Sequence, residues 1–546
     1  MDNSESNEKQ IMLDQTPVCV ILKSENNNGF GSAVAKIQRD GSNDSALLQP
    51  NDMHEVSAQK GFSSKMGVLH QCYVTGAVLL LAAACGMPIG YSAVLLPQLQ
   101  ERNDSLATDA DMGSWIASVH SLASPVGSFL SGSLMDRCGR LRALQISVAP
   151  LIGGWVLLGC APSHAVLLAG RLVAGFAVGL MAPPSQVFLG EISEPRLRGT
   201  LIGAPFVSYS LGILLVYALG SSLHWRAVAG AATVLPALAL LAMCLMPESP
   251  VWLVRKEKRK RAEKALLWLR GDEKLAKREL RNLEARVRAE LIGSSAAMST
   301  HQPPIWRQIM RPHVAKPLFI LNVFNVLQIL SGTYLVVFYA VDIIKELGGA
   351  EINNLAAANM TAAVRLVFTM LCCYLLLVMP RRTLAIFSGF FGGVSVFFMG
   401  LYIMFIASTP KTTVDVSVLG ICTLIYIAGN TGLMVLPGVM IGELLPAKTR
   451  GVVAGYVFAF FNLSLFTVAK VFPEILTKIG SHGMFLFFGS ASLLATIFIF
   501  VMLPETKGKT LGYIEDYFRQ DNFFWFTRSK DTNETKESTV ITVSKG

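Results

Sequence analysis

The sequence predicts an all-α membrane protein in which twelve transmembrane helices form two pseudo-symmetric six-helix bundles, with amphipathic cytoplasmic helices between them. Three observations predict this fold. Of the 546 residues, 52% are hydrophobic and only 15% are charged, and the mean hydropathy is +0.48. A helix needs about 20 residues to cross a bilayer, and apolar runs of about this length recur along the whole chain. Two short sequence patterns also occur once in each half of the chain.

The apolar runs fall into two sets of six, and each run predicts one transmembrane helix. The first set comprises residues 71–96, 113–135, 143–162, 165–188, 200–220 and 227–246. The second set comprises residues 316–341, 353–379, 383–407, 416–442, 452–474 and 481–503.

The runs divide the chain into five parts. Residues 1–66 are polar and are expected to form a disordered cytoplasmic tail, because they cannot bury enough apolar surface to offset the entropy of ordering. The two bundles are expected at 67–246 and 316–503. Between them, residues 247–315 are expected to form amphipathic helices at the membrane surface, since Leu and Ala recur at helical spacing amid dense charge. Residues 504–546 are expected to form a second cytoplasmic tail.

The distribution of basic residues predicts the orientation in the membrane. Connections that carry several Lys or Arg residues face the cytoplasm, and the connections on the other side carry about one each. Both termini are therefore expected in the cytoplasm. On the outer side, Asn103 begins an Asn-Asp-Ser sequence and is a candidate glycosylation site, although such triplets also occur by chance.

Composition and motifs argue against several other classes of protein. The net charge of +10 is spread between apolar runs and does not form one basic face, so no nucleic-acid partner is expected. The nine Cys residues are scattered, mostly within apolar runs, and predict neither a disulfide framework nor a metal site. The chain contains no Walker loop, HExxH or GxSxG motif, and therefore neither an enzymatic activity nor a cofactor is expected.

The repeated patterns lie where helices end on the predicted cytoplasmic side. FLGEISEPRLRG at 188–199 and VMIGELLPAKTRG at 439–451 both place an Arg seven residues after a Glu. Pro-Glu-Ser at 247–249 likewise corresponds to Pro-Glu-Thr at 504–506. This duplication predicts two structurally equivalent bundles around a shared central cavity.

Charged residues at these helix ends are expected to pair, because charges at an interface are tolerated only while paired or hydrated. Such pairs can latch the two bundles on one side and separate when the bundles rock apart. The alternative is that they are helix caps and topology signals. The candidate gating residues are Asp136, Arg137, Arg140, Glu191, Arg198, Glu248, Arg381, Arg382, Glu443, Arg450 and Glu505.

Six strings in order carry a resemblance to a known family. They are GSLMDRCGR (132–140), Gly170-Arg171, GEISEPRLRG (190–199), PESPVWL (247–253), GELLPAKTRG (442–451) and PETKGKTL (504–511). Over roughly residues 70–520 the chain resembles the sugar porters of the major facilitator superfamily. GSWIAS at 113–118 and LSGTYLVVFYAVD at 330–342 are most similar to the insect facilitated trehalose transporters. The resemblance implies a monomeric plasma-membrane uniporter for trehalose, glucose or a related sugar.

A sugar site needs hydrogen-bonding groups for the hydroxyls and an aromatic face for the ring. The candidate sugar-binding residues are Gln328, Ser331, Thr333, Tyr334, Tyr339, Asn462 and Arg365. Gln328 matches the first of the family's paired glutamines, and Ile329 stands at the second. Arg365, in the middle of a span, is expected either to contact substrate or to bind a helix-end carbonyl.

Several family sugar contacts are altered in this chain. Phe206 stands at a Gln position, Gly438 at an aromatic position, Asn462 at a Trp position and Tyr334 at an Asn position. Two other functions therefore stay open: a solute sensor without flux and a carrier of an organic ion. Ser92 replaces the Asp of proton-coupled relatives, which predicts passive transport.

Two further cations lie within predicted spans. Arg171 is expected to have a structural role. Lys470 is expected to extend to the membrane surface.

Overall fold

The structure, a computed structural model, describes residues 19–21, 34–36, 65–100, 106–193, 198–298, 310–338, 354–406, 413–445, 450–507, 514 and 517–519. The helices of the N-terminal half are α1 Lys65–Gln100, α2 Ala110–Cys138, α3 Arg140–Gly159, α4 His164–Ile192, α5 Arg198–Gly220, α6 Trp225–Ala232 and α7 Val234–Cys244. Three helices follow, namely α8 Pro250–Arg255, α9 Arg259–Arg270 and α10 Glu273–Met298. The helices of the C-terminal half are α11 Pro312–Leu330, α12 Leu335–Phe338, α13 Asn354–Val378, α14 Arg381–Ile406, α15 Thr413–Leu444 and α16 Arg450–Met502.

The helices account for all twelve predicted spans. Ten segments of the described part are long and apolar enough to cross a membrane. One of them, Val453–Met502, has 50 residues and a non-helical Gly480 with φ of 69°, so it contains two spans. The twelfth is α2, which has 29 residues but several serines that make it less apolar. The predicted all-α fold with two six-helix bundles is therefore confirmed.

Two predicted spans are interrupted in the structure. The span predicted at 316–341 is broken after Leu330, and α12 begins at Leu335. Gly332 has φ of 81° within this break, a conformation that side chains with a Cβ rarely adopt. The span predicted at 227–246 is divided into α6 and α7 at Thr233. Pro236 lies in the first turn of α7, where its missing N–H is tolerated.

The two bundles contact each other mainly along two pairs of helices, α2 with α16 and α5 with α13, with smaller contacts of α1 with α12 and of α5 with α15. Within the N-terminal bundle, α2 and α4 pack closely because glycines of α4 face serines of α2. Ser124 Oγ donates to Gly175 O at 3.0 Å, and Ser128 Oγ donates to Gly179 O at 3.2 Å. Small residues at such an interface let two backbones approach within a bilayer.

The ends of the bundles form two faces. The basic face carries Arg140, Arg381 and the linker helices α8–α10, and the opposite face carries Asp111 and Lys470. On the basic face, α9 buries an apolar side formed by Ala262, Ala265, Leu266 and Leu269, as its helical spacing predicts.

The two predicted tails contain structure that their composition did not predict. In the N-terminal tail, β1 (Cys19–Ile21) pairs antiparallel with β2 (Val34–Lys36), each of which contains β-branched residues. Beyond residue 503, Ile514 and Phe518 are buried and join the core of the C-terminal half, because short apolar groups suffice where a core is already present.

Candidate substrate site and gates

The break between α11 and α12 exposes backbone carbonyls inside the protein, and neighbouring helices bind them. Tyr426 Oη donates to Ser331 O at 2.5 Å, and Asn430 Nδ2 donates to the same oxygen at 3.3 Å. Arg365 Nη2 donates to Thr333 O at 3.0 Å. Unwound backbone at membrane depth is tolerated only where such partners replace the lost helical hydrogen bonds. The break is therefore held by α13 and α15.

Gln328 lies directly before this break and is 1% exposed. Neither its Oε1 nor its Nε2 makes a hydrogen bond of standard geometry with another described residue, although the carboxamide interacts with the hydroxyl of Tyr334. Its backbone carbonyl accepts from Ser331 Oγ at 2.6 Å, and Ser331 Oγ lies 3.0 Å from Thr333 Oγ1. A buried carboxamide whose hydrogen bonds are incomplete carries a desolvation cost of about 1–3 kcal/mol, which a polar ligand or water would reduce. Gln328 is thus available to bind a hydroxylated solute.

Arg365 is 4% exposed, and its contacts favour the second of its two expected roles. Besides Thr333 O, its Nη1 contacts Met434 Sδ at 3.3 Å. The hydroxyls of Tyr217, Tyr334 and Tyr426 interact with it electrostatically. Arg365 therefore binds a helix-end carbonyl in this conformation and stabilises the break.

The other candidate sugar-binding residues divide into three cases. Tyr334 packs edge-on against Phe461, with ring centroids 5.4 Å apart, and this pair forms an aromatic surface. Asn462 Nδ2 donates to Phe458 O at 2.8 Å within its own helix, so this nitrogen is already used. Tyr339 lies outside the described residues.

Two hydrogen bonds beside the break join the two bundles, and sequence analysis missed both. Tyr217 Oη donates to Val337 O at 2.6 Å, and Ser210 Oγ lies 3.1 Å from Thr369 Oγ1. These residues, like Tyr426 and Asn430, are polar groups inside apolar spans. Their position in a span is the signal that could have identified them.

Arg171 is fully buried and is bound by α1 and α2. It donates to Pro88 O at 2.5 Å and Ile116 O at 3.0 Å, and its Nη2 donates to Ser92 Oγ. These contacts tie three helices of the N-terminal bundle together. The structural role expected for Arg171 agrees with them.

Lys470 forms an ion pair between the bundles on the opposite face, which differs from the snorkelling expected for it. Its Nζ lies 2.6 Å from Asp111 Oδ1 and 2.6 Å from Ser114 Oγ. It also lies 4.6 Å from the ring centroid of Trp115, which in turn contacts Phe466. Only the fold brings this carboxylate to α16, so sequence analysis missed the pair. We call Asp111, Ser114, Trp115 and Lys470 the opposite-face clasp.

On the basic face of the N-terminal bundle, Glu191 and Glu248 hold the start of α3. Arg140 Nε lies 3.2 Å from Glu191, which also accepts from Ser249 Oγ. Arg140 Nη1 lies 3.5 Å from Asp136. Glu248 accepts from the backbone N–H of Leu141 at 2.9 Å and caps α3.

The C-terminal bundle repeats this arrangement. Arg381 Nη2 lies 3.2 Å from Glu443, which also accepts from Thr506 Oγ1. Glu505 accepts from the backbone N–H of Arg381 at 3.0 Å and from that of Arg382 at 3.1 Å. The two bundles thus carry equivalent networks, in agreement with the sequence repeat.

These networks differ in one respect from the expected latch. The pairs Arg140–Glu191 and Arg381–Glu443 each lie within one bundle, because the Arg begins the third span of its half and the Glu lies at the end of the fourth. In this conformation they do not themselves join the bundles. Among the other candidates, Arg137 is exposed, and Arg382 lies over the ring of Phe500. The side chains of Arg198 and Arg450, like Asn103, lie outside the described residues.

Comparisons with known proteins relate this geometry to a family. The facilitated trehalose transporter Tret1 of Drosophila erecta is 33% identical over 444 residues, which cover 80% of this chain and 50% of that protein. The facilitated trehalose transporter Tret1-2 homolog of Drosophila simulans is 32% identical over 446 residues, with 80% and 89% covered. The chain spans about half the length of the first of these relatives.

A solved structure shares the fold. The major facilitator proton:xylose symporter XylE, bound to 6-bromo-6-deoxy-D-glucose, has a TM-score of 0.67 and 20% identity. The match covers 83% of this chain and all of that one. A family profile described as "Sugar (and other) transporter" matches residues 76–518. With the profile and the relatives in agreement, the chain belongs to the sugar (and other) transporter family.

Proposed function

We propose that the protein carries a sugar passively across the plasma membrane by alternating access, with trehalose or a hexose such as glucose as the substrate. The carrying observation is Gln328, a buried carboxamide that makes no hydrogen bond of standard geometry among the described residues and lies with Tyr334 beside a broken helix at the junction of the bundles. The names of the trehalose-transporting relatives support a sugar as cargo. We further propose that the protein acts as a monomer with both termini in the cytoplasm and has no enzymatic activity.

In the proposed binding mode, the sugar hydroxyls bind polar groups at the break and the ring packs on an aromatic face. Gln328 offers both a donor and an acceptor, as vicinal hydroxyls require. Tyr334 and Phe461 supply an apolar surface for the C–H groups of the ring. The carbonyl-bound guanidinium of Arg365 supports a neutral solute over an organic anion.

Passive transport follows from the chemistry around Arg171. The group that its Nη2 contacts in α1 is the neutral hydroxyl of Ser92. A hydroxyl does not titrate in the physiological range, so this contact cannot couple proton movement to substrate movement. Uptake is therefore expected to persist when the proton gradient is dissipated.

Alternating access requires contacts between the bundles that form and break. On the opposite face the clasp joins α2 to α16, and near the centre Tyr217 and Ser210 join α5 to α12 and α13. The networks on the basic face stabilise each bundle as a unit, so the bundles can move as rigid bodies.

The test is uptake of radiolabelled trehalose and glucose by cells that express the full chain. We expect saturable uptake, and we expect Gln328→Ala to lower kcat/KM by about tenfold or more, since it removes hydrogen bonds worth about 1–3 kcal/mol. Asn322→Ala is the matched control, because it removes an amide from the same helix about 120° away.

Three outcomes would contradict the proposal. Saturable sugar binding without flux would indicate a sensor. Inhibition by organic anions but not by sugars would indicate a different cargo. Loss of uptake when a protonophore is added would rule out the passive mechanism.

A further inference from the structure

A cavity of about 470 Å³ opens on the basic face, away from the candidate sugar site. It lies between the end of α7, the start of α3 and the linker helices α8 and α9. The cations that line it are Arg142, Lys258, Arg261 and Lys264. All four are exposed, and among the described residues no carboxylate forms a salt bridge with them. The cavity therefore has an excess of positive charge.

Glu248 also lines this cavity, but its carboxylate accepts hydrogen bonds from backbone N–H groups. Its Oε1 accepts from the N–H of Leu141 and that of Ser249, both at 2.9 Å. Its Oε2 faces the N–H of Arg142 at 3.4 Å. The carboxylate thus caps the start of α3, and the four cations outnumber this one carboxylate in the lining.

The cavity lies at the level where a membrane helix leaves the hydrocarbon layer. Trp225–Cys244 is one of the candidate spans, and Cys244 and Leu245 line the cavity. Leu238, Leu241 and Leu245 are 48%, 66% and 74% exposed, and their spacing places them on one side of the helix. An apolar stripe thus leads along α7 into a cationic cavity.

Two tryptophans complete the lining and give it the character of a membrane interface. Lys258 Nζ lies 5.1 Å from the ring centroid of Trp252, which positions this cation at the cavity wall. Trp268 stacks on His70 of α1, with ring centroids 4.1 Å apart. Tryptophan favours the headgroup level of a bilayer because its ring has one apolar body and one polar tip.

We propose that this cavity binds the phosphate-bearing headgroup of an anionic membrane lipid, whose acyl chains lie along the stripe of α7. Phosphate oxygens accept charge-assisted hydrogen bonds from Lys and Arg, and cations near an anionic membrane surface attract such headgroups. A soluble phosphate compound shares the headgroup chemistry but has no chains for the stripe. Because α9 supplies two of the cations, Lys258 directly before α9 supplies the third and α3 the fourth, the bound lipid links the linker helices to the N-terminal bundle.

The test is native mass spectrometry of the full-length protein with added phosphatidylinositol 4,5-bisphosphate. The triple variant K258Q/R261Q/K264Q removes three lining charges. The matched control K256Q/K260Q/K274Q removes three exposed linker charges that do not line the cavity. We expect the cavity variant to bind the lipid about tenfold more weakly or worse, and the control to stay within about twofold of the wild type. An equal loss in both variants would overturn the proposal, because it would indicate attraction to net charge alone.

Further measurements test whether the bound phosphate belongs to a lipid and whether the variants are folded. L241S/L245S is expected to weaken lipid binding while keeping all four cations. Inositol 1,4,5-trisphosphate, which lacks acyl chains, is expected to bind the wild type at least about tenfold more weakly than the lipid. Equally tight binding of this soluble compound would overturn the lipid assignment. Tm values within a few degrees of the wild type, measured for every variant, would show that the weakened binding does not arise from unfolding.

Discussion

The charged side chains within the membrane spans have different roles, and the burial and hydrogen bonds of each side chain show which role it has. Arg171 is fully buried and binds carbonyls of two other helices, whereas Lys470 bridges the bundles at one face. An isolated charge in a bilayer costs several kcal/mol, so each must be compensated by partners. Arg171 and Lys470 both lie within apolar runs of the sequence, and only their contacts distinguish their roles.

Replacing Arg171 by Met is expected to destabilise the N-terminal bundle. The change removes the hydrogen bonds that the charged guanidinium donates to Pro88 O and Ile116 O, and a hydrogen bond to a charged group contributes about 1.5–3 kcal/mol. The Tm of the purified protein should fall by several degrees, while Arg311→Met, a change of the exposed Arg directly before α11, should leave it nearly unchanged. Equal Tm values for both variants would contradict the structural role of Arg171.

Replacing Lys470 by Gln is expected to loosen the opposite-face clasp. The pair is partly exposed, so its coupling free energy should be modest, about 0.5–1 kcal/mol. Amide hydrogen exchange at the start of α2, near Asp111, should therefore accelerate a few-fold. Lys478→Gln is the matched control, because Lys478 pairs with Glu474 within its own helix. Similar exchange in both variants would show that the clasp does not hold the bundles together.

At the scale of the helices, glycines decide where two spans meet. A Cβ at Gly179 would collide with the backbone of Ser124 in α2, whereas one at Gly153 would meet no atom of the described residues within 4 Å. Both residues lie in apolar helices, and the sequence pattern does not separate them. The contact between α2 and α4 therefore requires glycine at Gly179, whereas Gly153 can be replaced by a larger residue.

Gly179→Ala is expected to lower stability by about 1–3 kcal/mol, because α2 and α4 must move apart to admit the methyl group. Gly153→Ala should be neutral or stabilising by up to about 1 kcal/mol, since alanine favours a helix. Thermal unfolding of the two variants in detergent checks both signs. A lower Tm for Gly153→Ala than for Gly179→Ala would contradict the packing described above.

At the scale of the whole molecule, the two halves use the same network of charges. Arg140 and Arg381 begin equivalent helices, and Glu248 and Glu505 cap those helices from the end of their own half. Each network joins the third, fourth and sixth spans of one bundle into a unit. The contacts between the bundles are fewer and lie elsewhere, which suits a movement of one unit against the other.

Glu248→Ala and Glu505→Ala are expected to have matching but local effects. Each removes a cap worth about 1–2 kcal/mol from the start of one helix. Amide exchange should accelerate at residues 141–142 in the first variant and at 381–382 in the second. The other half of the same protein serves as the control in each case. Exchange that rises in both halves of either variant would show that the networks are not independent.

Much of the fold could be predicted from the sequence because the bilayer imposes it. A chain that crosses lipid must bury its own backbone hydrogen bonds within apolar helices, so composition and length reveal the spans directly. The repeat of Glu191 and Glu443 also indicated two equivalent halves. Hydropathy did not predict the break at Gly332. Side chains of neighbouring helices donate hydrogen bonds to the free carbonyls of the break, and these bonds leave no trace in the apolar composition of the span.

The sequence by itself determined the twelve spans, the duplication and the residues of the basic face, since each follows from local composition and spacing. Only the tertiary structure decided which side chains pair with each other. Lys470 and Asp111 are 359 residues apart in the chain, and Glu191 pairs with Arg140, which its own motif does not contain. The burial of Gln328 and the cationic cavity of the linker likewise arise from helices remote in sequence. The physical reason is that pairing and burial depend on distances between side chains, which only the packed bundles define.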